Sequence, residues 1–317
     1  MKILVTGAAG FIGSSIVEEL AKQGLAIRAA HRPGESLGEI DSDFLIDGLD
    51  LESFPLDLNN RKEVFTQLKG IQILFHADYF CSWKSQDKNR LYEINQMGTR
   101  NLMEAAHAQG VEKVVYTSGM ETLALPQGND MATERDGVAW EDLKTHFEKS
   151  RFLAEREVLN FKGKGLPVVM VHPTICLGAR ERGSTLFGQY LQRLLRGKAR
   201  FYLDTGFNLV DVVDVAKGHL LAAKRGKMGG RYILGNQNVY MLEILQKVSQ
   251  MTGLPAPKTA LPFRWAQLGN LLVRRMPGSL LKKLKKPLFF DTSLARQELG
   301  FPQSNIWDAL ARQIQNA

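Results

Sequence analysis

The residues whose chemistry is plainest are three glycines in the run Thr6-Gly7-Ala8-Ala9-Gly10-Phe11-Ile12-Gly13. Glycines at this spacing let a chain turn tightly and approach a phosphate with no Cβ in between. A helix starting directly behind them adds unpaired N–H groups and a positive dipole end. The pattern predicts a pyrophosphate seat lined by Gly7, Gly10, Phe11, Ile12 and Gly13. The next apolar run ends in Ala29-Ala30-His31-Arg32. No carboxylate stands there to hold a ribose 2′-OH, and Arg32 is placed for a 2′-phosphate, so NADP(H) is favoured over NAD(H) as cofactor. A solvent-facing arginine is the alternative. Asp57, closing a third run, either meets an adenine amino group or caps the following helix through Asn59 and Asn60. Cys81, His172 and Cys176 have no metal-ligand spacing, and no metal site is expected.

The elements that must position these residues follow from periodicity. Lys2–Thr6 reads as a buried strand, and Ile12, Ile16, Val17, Leu20 and Ala21 recur at helical spacing up to Gly24. Further strands are expected at Ala26–Arg32, Leu51–Leu58, Ile71–Ala77, Lys113–Ser118 and Pro167–Thr174, with full crossover helices at Lys88–Gln109 and Glu141–Asn160. Beyond Thr174 the alternation fades into helical runs (Thr185–Arg196, Tyr240–Thr252) and short apolar pieces (Arg200–Leu203, Arg231–Leu234). The fold class is therefore α/β: a Rossmann-type, doubly wound parallel sheet over residues 1–174. A smaller substrate-capping region spans 175–317, with some segments returning to the core.

Composition excludes several classes. In 317 residues, 44% hydrophobic and 23% charged residues with 29 Gly and 11 Pro describe a folded globular chain. Two cysteines are too few for a disulfide framework, and the opening MKILVTG lacks the pattern of a signal peptide, so a reducing cytoplasm is expected. The longest uncharged stretch, Gly165–Ala179, has 15 residues and two prolines, short of a membrane span. Charge is uneven: residues 1–170 carry a net −6 and residues 171–317 a net +14. Such asymmetry suits an anionic partner for the second half or a solvated basic face.

Taken together, the residues resemble the extended short-chain dehydrogenase/reductases, the NAD-dependent epimerase/dehydratase group. The likeness is strongest to dihydroflavonol-reductase-like proteins and hopanoid-associated sugar epimerases. It rests on TGAAGFIG, Leu74-Phe-His-Ala77, Asn95-Gln-Met-Gly-Thr99, Val114-Val-Tyr-Thr-Ser118, the run from Asn208 through Asp214 and the run from Phe290 to Gly300. The resemblance implies cofactor contacts at Leu58, His76, Thr117 and Pro173 beside those already named, and it allows a homodimer. It also implies a Ser or Thr after the fifth strand and a Tyr-x-x-x-Lys pair on the next helix. Ser150 and Phe152-Leu-Ala-Glu155 fix that register, which places Phe147 at the tyrosine, Arg151 at the lysine and Gly119 at the hydroxyl. Phenylalanine has no proton to give and glycine no hydroxyl. Arg151 keeps a charge with which to clasp a ribose. Glu121 is the candidate acid/base: it stands where sugar-nucleotide dehydratases of the superfamily carry a glutamate, although Met120 replaces the neighbouring aspartate. Exposure on a loop is the competing reading for Glu121. His146, Lys149, Tyr79 and Asp78 are expected near the site, each with a structural reading as well.

Residues 265–290, WAQLGNLLVRRMPGSLLKKLKKPLFF, combine leucines with six Lys and Arg and no acid. This composition suits a peripheral contact with the inner face of a membrane, or a lid packing leucines over the substrate. Nucleic acid is not the expected partner, since no binding motif accompanies the charge. Two functions stay open. One is an NADP(H)-dependent oxidoreductase, epimerase or lyase acting on a small hydrophobic or anionic substrate by a non-standard mechanism. The other is a catalytically degenerate NADP(H) sensor, scaffold or subunit of a membrane-associated biosynthetic complex.

Overall fold

A computed structural model describes residues 1–37, 50–125, 131–181, 185–262, 281 and 283–316. Most of the basic run at 265–290 therefore lies outside the described residues; of its end, Lys283, Leu284, Leu288 and Phe290 line the cavity described below.

Strands β1 (Ile3–Thr6), β2 (Ile27–His31), β3 (Leu51–Pro55), β4 (Ile73–His76), β5 (Lys113–Thr117), β6 (Val168–Pro173) and β10 (Arg231–Leu234) form one parallel sheet in the order β10-β6-β5-β4-β1-β2-β3. The chain reverses its direction of growth between β1 and β4. A crevice opens there at the strands' carboxyl ends, the usual ligand position in such sheets. β10, the short apolar run Arg231–Leu234 beyond residue 174, joins the main sheet beside β6.

Helix α1 (Phe11–Ala21) buries Ile16, Val17, Leu20 and Ala21 against the sheet beside α7 (Val212–Arg225), whose Val215, Ala216 and Ala222 complete that layer. The opposite face is covered by α2 (Arg61–Gln67), by α5 (His146–Gly163) and by a composite helix. The composite runs through α3 (Lys88–Leu91), a π-helical stretch (Tyr92–Gly98) and α4 (Thr99–Ala108). Helix α5 begins later than the periodicity predicts. Thr145 accepts from the Glu148 backbone and the Glu148 side chain returns to Thr145, and this capping box fixes the start.

The second layer holds β7 (Ile175–Leu177), α6 (Leu186–Leu195), β8 (Phe201–Tyr202), β9 (Gly206–Asp211), β11 (Gln237–Tyr240), α8 (Met241–Thr252), β12 (Thr259–Ala260) and α9 (Ile306–Gln315). β9 pairs parallel with β7 and antiparallel with β11, and these elements enclose a separate apolar core. Among the described residues no helix is long and apolar enough to cross a membrane.

Candidate active site

One cavity of about 920 Å³ runs from the loop behind β1 into the second layer. At its first end the glycines meet sterically. Gly7 has φ +71°, and a Cβ there would lie 2.7 Å from the backbone N and Cα of Asp78; a Cβ on Gly13 would lie 2.0 Å from the Gly7 carbonyl oxygen. Only glycine permits this closeness. Helix α1 starts from Gly10 with no side-chain cap and no acid in its first turn, so its N–H groups and dipole face the cavity without a competing carboxylate.

Arg32 lines the same end. Its Nη2 lies 2.7 Å from Glu35 Oε1, and its Nε lies 3.4 Å from Asp78 Oδ1. Burial pushes the Asp78 carboxyl up to about 6, against the pull of the Arg32 charge.

The middle of the cavity is where strand β5 and helix α5 approach each other. Arg151 is 1% exposed; its Nε donates to Glu121 Oε1 at 2.9 Å and its Nη2 to the Thr117 carbonyl at 2.7 Å. Its third nitrogen, Nη1, is buried with no partner. The guanidinium also lies over the Tyr79 ring, 4.6 Å from the centroid. Glu121 owes its place to Gly119, where a Cβ would stand 2.3 Å from Glu121 Oε2. The carboxylate fills the volume that any side chain at 119 would need. One helical turn before Arg151, Phe147 packs edge-on to Trp83 at 5.0 Å between centroids and against Tyr79 at 6.3 Å.

Asn95, in the π-helical stretch, ties this region together. Its Oδ1 accepts from the Phe80 N–H at 2.7 Å, and its Nδ2 donates to the Phe80 carbonyl and to Ser150 Oγ, both at 2.9 Å. The loop after β4 and helix α5 are thus held in one register. π-helical turns recur at functional sites because they re-aim side chains in this way.

Beyond Glu121 the walls turn apolar: Leu123, Phe187, Leu203, Phe207, Met241 and Leu288. Of these, the sequence reading associates only Leu288 with a substrate, within the leucine-rich run 265–290; the others come from elements far apart in the chain. The charged groups at this end are Asp142, Lys144, Glu148 and Lys283, and the last two are paired at 2.5 Å.

Of the expected residues, Gly7, Gly10, Phe11, Ile12, Gly13, Arg32, Gly119, Glu121, Phe147, Arg151 and Pro173 line the cavity, as do Asp78, Tyr79, Cys81 and Cys176. Asp57, Leu58, His76 and Thr117 do not. His76 is 1% exposed, with Nδ1 2.7 Å from Thr6 Oγ1 and Nε2 3.0 Å from Thr99 Oγ1, and burial pushes it down to about 3. The Thr117 hydroxyl is engaged by His219 Nε2 at 2.9 Å. Leu58 is buried in the core, while Asp57 accepts from the Asn59 N–H and Asn60 caps α2. His146 and Lys149 also lie outside the cavity, against Tyr92 and Trp140. No group of three or more potential metal ligands occurs among the described residues.

A family model described as the NAD dependent epimerase/dehydratase family matches residues 3–235. A protein of Synechocystis sp. provisionally named dihydroflavonol 4-reductase is 36% identical over 97% of this chain and 92% of its own length. Sterol demethylase protein B of Methylococcus capsulatus is 30% identical over 98% of this chain and 96% of its own. The crystal structure of gox2253 superposes with a TM-score of 0.86 at 32% identity, covering 100% of this chain and 97% of that one. At 23% identity, the UDP-glucose 4-epimerase of Thermus thermophilus, solved as a complex with NAD, shares the fold with a TM-score of 0.79 over 100% of this chain and 98% of its own.

Proposed function

Because the chain belongs to the NAD dependent epimerase/dehydratase family, we propose that it is an NADP(H)-dependent oxidoreductase for a hydrophobic substrate, with Glu121 and Arg151 in place of the usual tyrosine and lysine. The observation that carries this reading is the continuity of a single cavity from glycine cradle to apolar chamber, with the Glu121–Arg151 pair at the junction. The residues fit a nicotinamide dinucleotide: the Gly7–Gly13 contact leaves a surface for a pyrophosphate, and the unpartnered Arg151 Nη1 suits a ribose hydroxyl. When bound, the nicotinamide supplies a hydride donor or acceptor.

Each remaining step falls to the chain's own groups. Phe147 cannot carry a proton, so it serves as an apolar wall with Trp83 and Tyr79 that excludes water from the reacting carbon. Glu121 takes the alcohol proton during oxidation, or returns it through its acid form during reduction. Arg151 keeps that carboxylate aimed into the cavity. The apolar walls suit a fused-ring or long-chain body better than a nucleoside diphosphate, since the lysines at this end, Lys144 and Lys283, are already engaged by the Glu141 carbonyl and by Glu148. The sterol demethylase likeness agrees with such a substrate.

NADPH is expected to bind roughly tenfold more tightly than NADH, the worth of about one charge-assisted hydrogen bond. In a fluorescence titration Arg32→Ala should erase that difference; equal affinity of the wild type for both nucleotides would remove the NADP assignment. The chamber predicts that a steroid ketone binds and UDP-glucose does not. Phe207→Asp, which buries an unpaired carboxylate in the wall, should weaken the ketone by roughly tenfold or more. UDP-glucose binding to the wild type, measured by calorimetry, would contradict the hydrophobic assignment.

A further inference from the structure

Behind the turn that carries Glu121 a buried polar network runs from Ser118, at the cavity wall, to the sheet edge. Ser118 Oγ donates to Glu155 Oε2 at 2.6 Å, and Arg231 Nη2 donates to Glu155 Oε1 at 2.9 Å. Arg231 Nε then points at His172 Nε2, 3.3 Å away. Arginine has no acceptor, so Nε2 must offer its lone pair and the ring proton must sit on Nδ1. That Nδ1 lies 3.3 Å from the carbonyl oxygen of Gly119 and 3.4 Å from Thr122 Oγ1. The same carbonyl accepts from Thr122 Oγ1 at 3.0 Å and from the Thr122 backbone N–H at 3.2 Å. His172 is wholly buried, Ser118 and Thr122 are nearly so, and Arg231 reaches the surface at the edge strand β10.

We infer that His172 is a positioning residue: held as its neutral Nδ1–H tautomer by Arg231, it fixes the Gly119 carbonyl and with it the turn that presents Glu121 to Arg151. The inference rests on the reading of Glu121 as the proton-transfer group and adds a chain of support from the sheet edge to that carboxylate. The charged groups facing the ring are Glu155, Arg231 and Glu121, and burial with the Arg231 charge outweighs the attraction of the two carboxylates, holding the imidazole below its ordinary range. A protonated ring would turn a second N–H against the arginine and break the link. The neutral state therefore belongs to the positioning arrangement.

The two ring nitrogens allow a test by isosteres. An asparagine amide nitrogen reaches the place of Nδ1, whereas glutamine reaches that of Nε2. His172→Phe and His172→Gln should each lower kcat by roughly tenfold or more, the scale of effect expected when a reacting group is misaligned. Cofactor affinity should stay within about twofold, as no ring atom lines the cradle. His172→Asn should recover most of kcat. If the phenylalanine variant fails to fold, the asparagine and glutamine variants alone decide the matter. Independently of turnover, nitrogen-15 spectra of the histidine-labelled apoprotein at neutral pH and above should show a neutral Nδ1–H ring, with any protonation setting in below the ordinary histidine range; an Nε2–H ring, or titration near the ordinary histidine value, overturns the inference. So does wild-type kcat in His172→Gln alongside an inactive Glu121→Gln, an outcome that leaves the reading of Glu121 intact. Wild-type turnover in Glu121→Gln would remove that reading itself.

Discussion

Glu121→Gln is expected to lower turnover by about 10²-fold or more while leaving NADPH affinity within a few-fold, because positioned proton transfer contributes roughly 10²–10⁴ to rate. Glutamine preserves the volume beside Gly119 and an oxygen for Arg151 Nε, so the geometry of the pair survives and the negative charge does not. Arg151, at 1% exposure, then faces a neutral partner. Stripping a buried charge of its counter-ion costs about 3–5 kcal/mol. Glu121 is 19% exposed, so solvent screening brings the expected loss to about 1–2 kcal/mol. Steady-state oxidation of NADPH with a ketone, followed by a thermal melt, measures both effects. A variant as active as the wild type would exclude Glu121 from the chemistry. A wild type that binds NADPH tightly yet turns over no ketone or alcohol would favour the sensor or scaffold reading instead.

Gly13→Ala is expected to abolish nucleotide binding, with an affinity loss of about 100-fold or more. The new methyl would lie 2.0 Å from the Gly7 carbonyl oxygen, a backbone atom with no rotamer to change. Gly7 cannot retreat, because Asp78 backbone atoms already stand within 2.7 Å of where its own Cβ would be, and its φ of +71° suits glycine alone. The loop must open as a whole, widening the spacing of the N–H groups at the start of α1. Overpacking of this kind costs about 1–3 kcal/mol in stability, so a lowered melting temperature should accompany the loss of affinity. Normal titration by NADPH and NADH in this variant would mean that the pyrophosphate sits elsewhere.

What sequence could and could not reveal here follows from the range of each interaction. The glycine cradle was legible because it is a local backbone requirement, written in eight consecutive residues. The parallel sheet was legible because its strands are short apolar runs between helical periods. Most of the chamber was not, since Leu123, Phe187, Phe207 and Met241 meet only after the second layer folds. His76 shows another limit: motif position locates a residue in the fold but not the direction its ring takes, and here both nitrogens are used within the core. The crossover helix was readable from periodicity, whereas its π-helical register around Asn95 depends on partners at Phe80 and Ser150. Gly119 and Glu121 are two residues apart, yet their relationship is one of excluded volume, which no spacing rule expresses.

That relationship restricts the paths by which this sequence can change. A serine introduced at 119 collides with the carboxylate; removing the carboxylate first strands a cation in the interior; exchanging the arginine first leaves the acid without its counter-charge. Each single replacement in the trio therefore changes the surroundings of the other two, and a hydroxyl-bearing site calls for the carboxylate to move as well. The three positions are in this sense one unit of design, and a variant that changes one of them is best paired with changes at the other two.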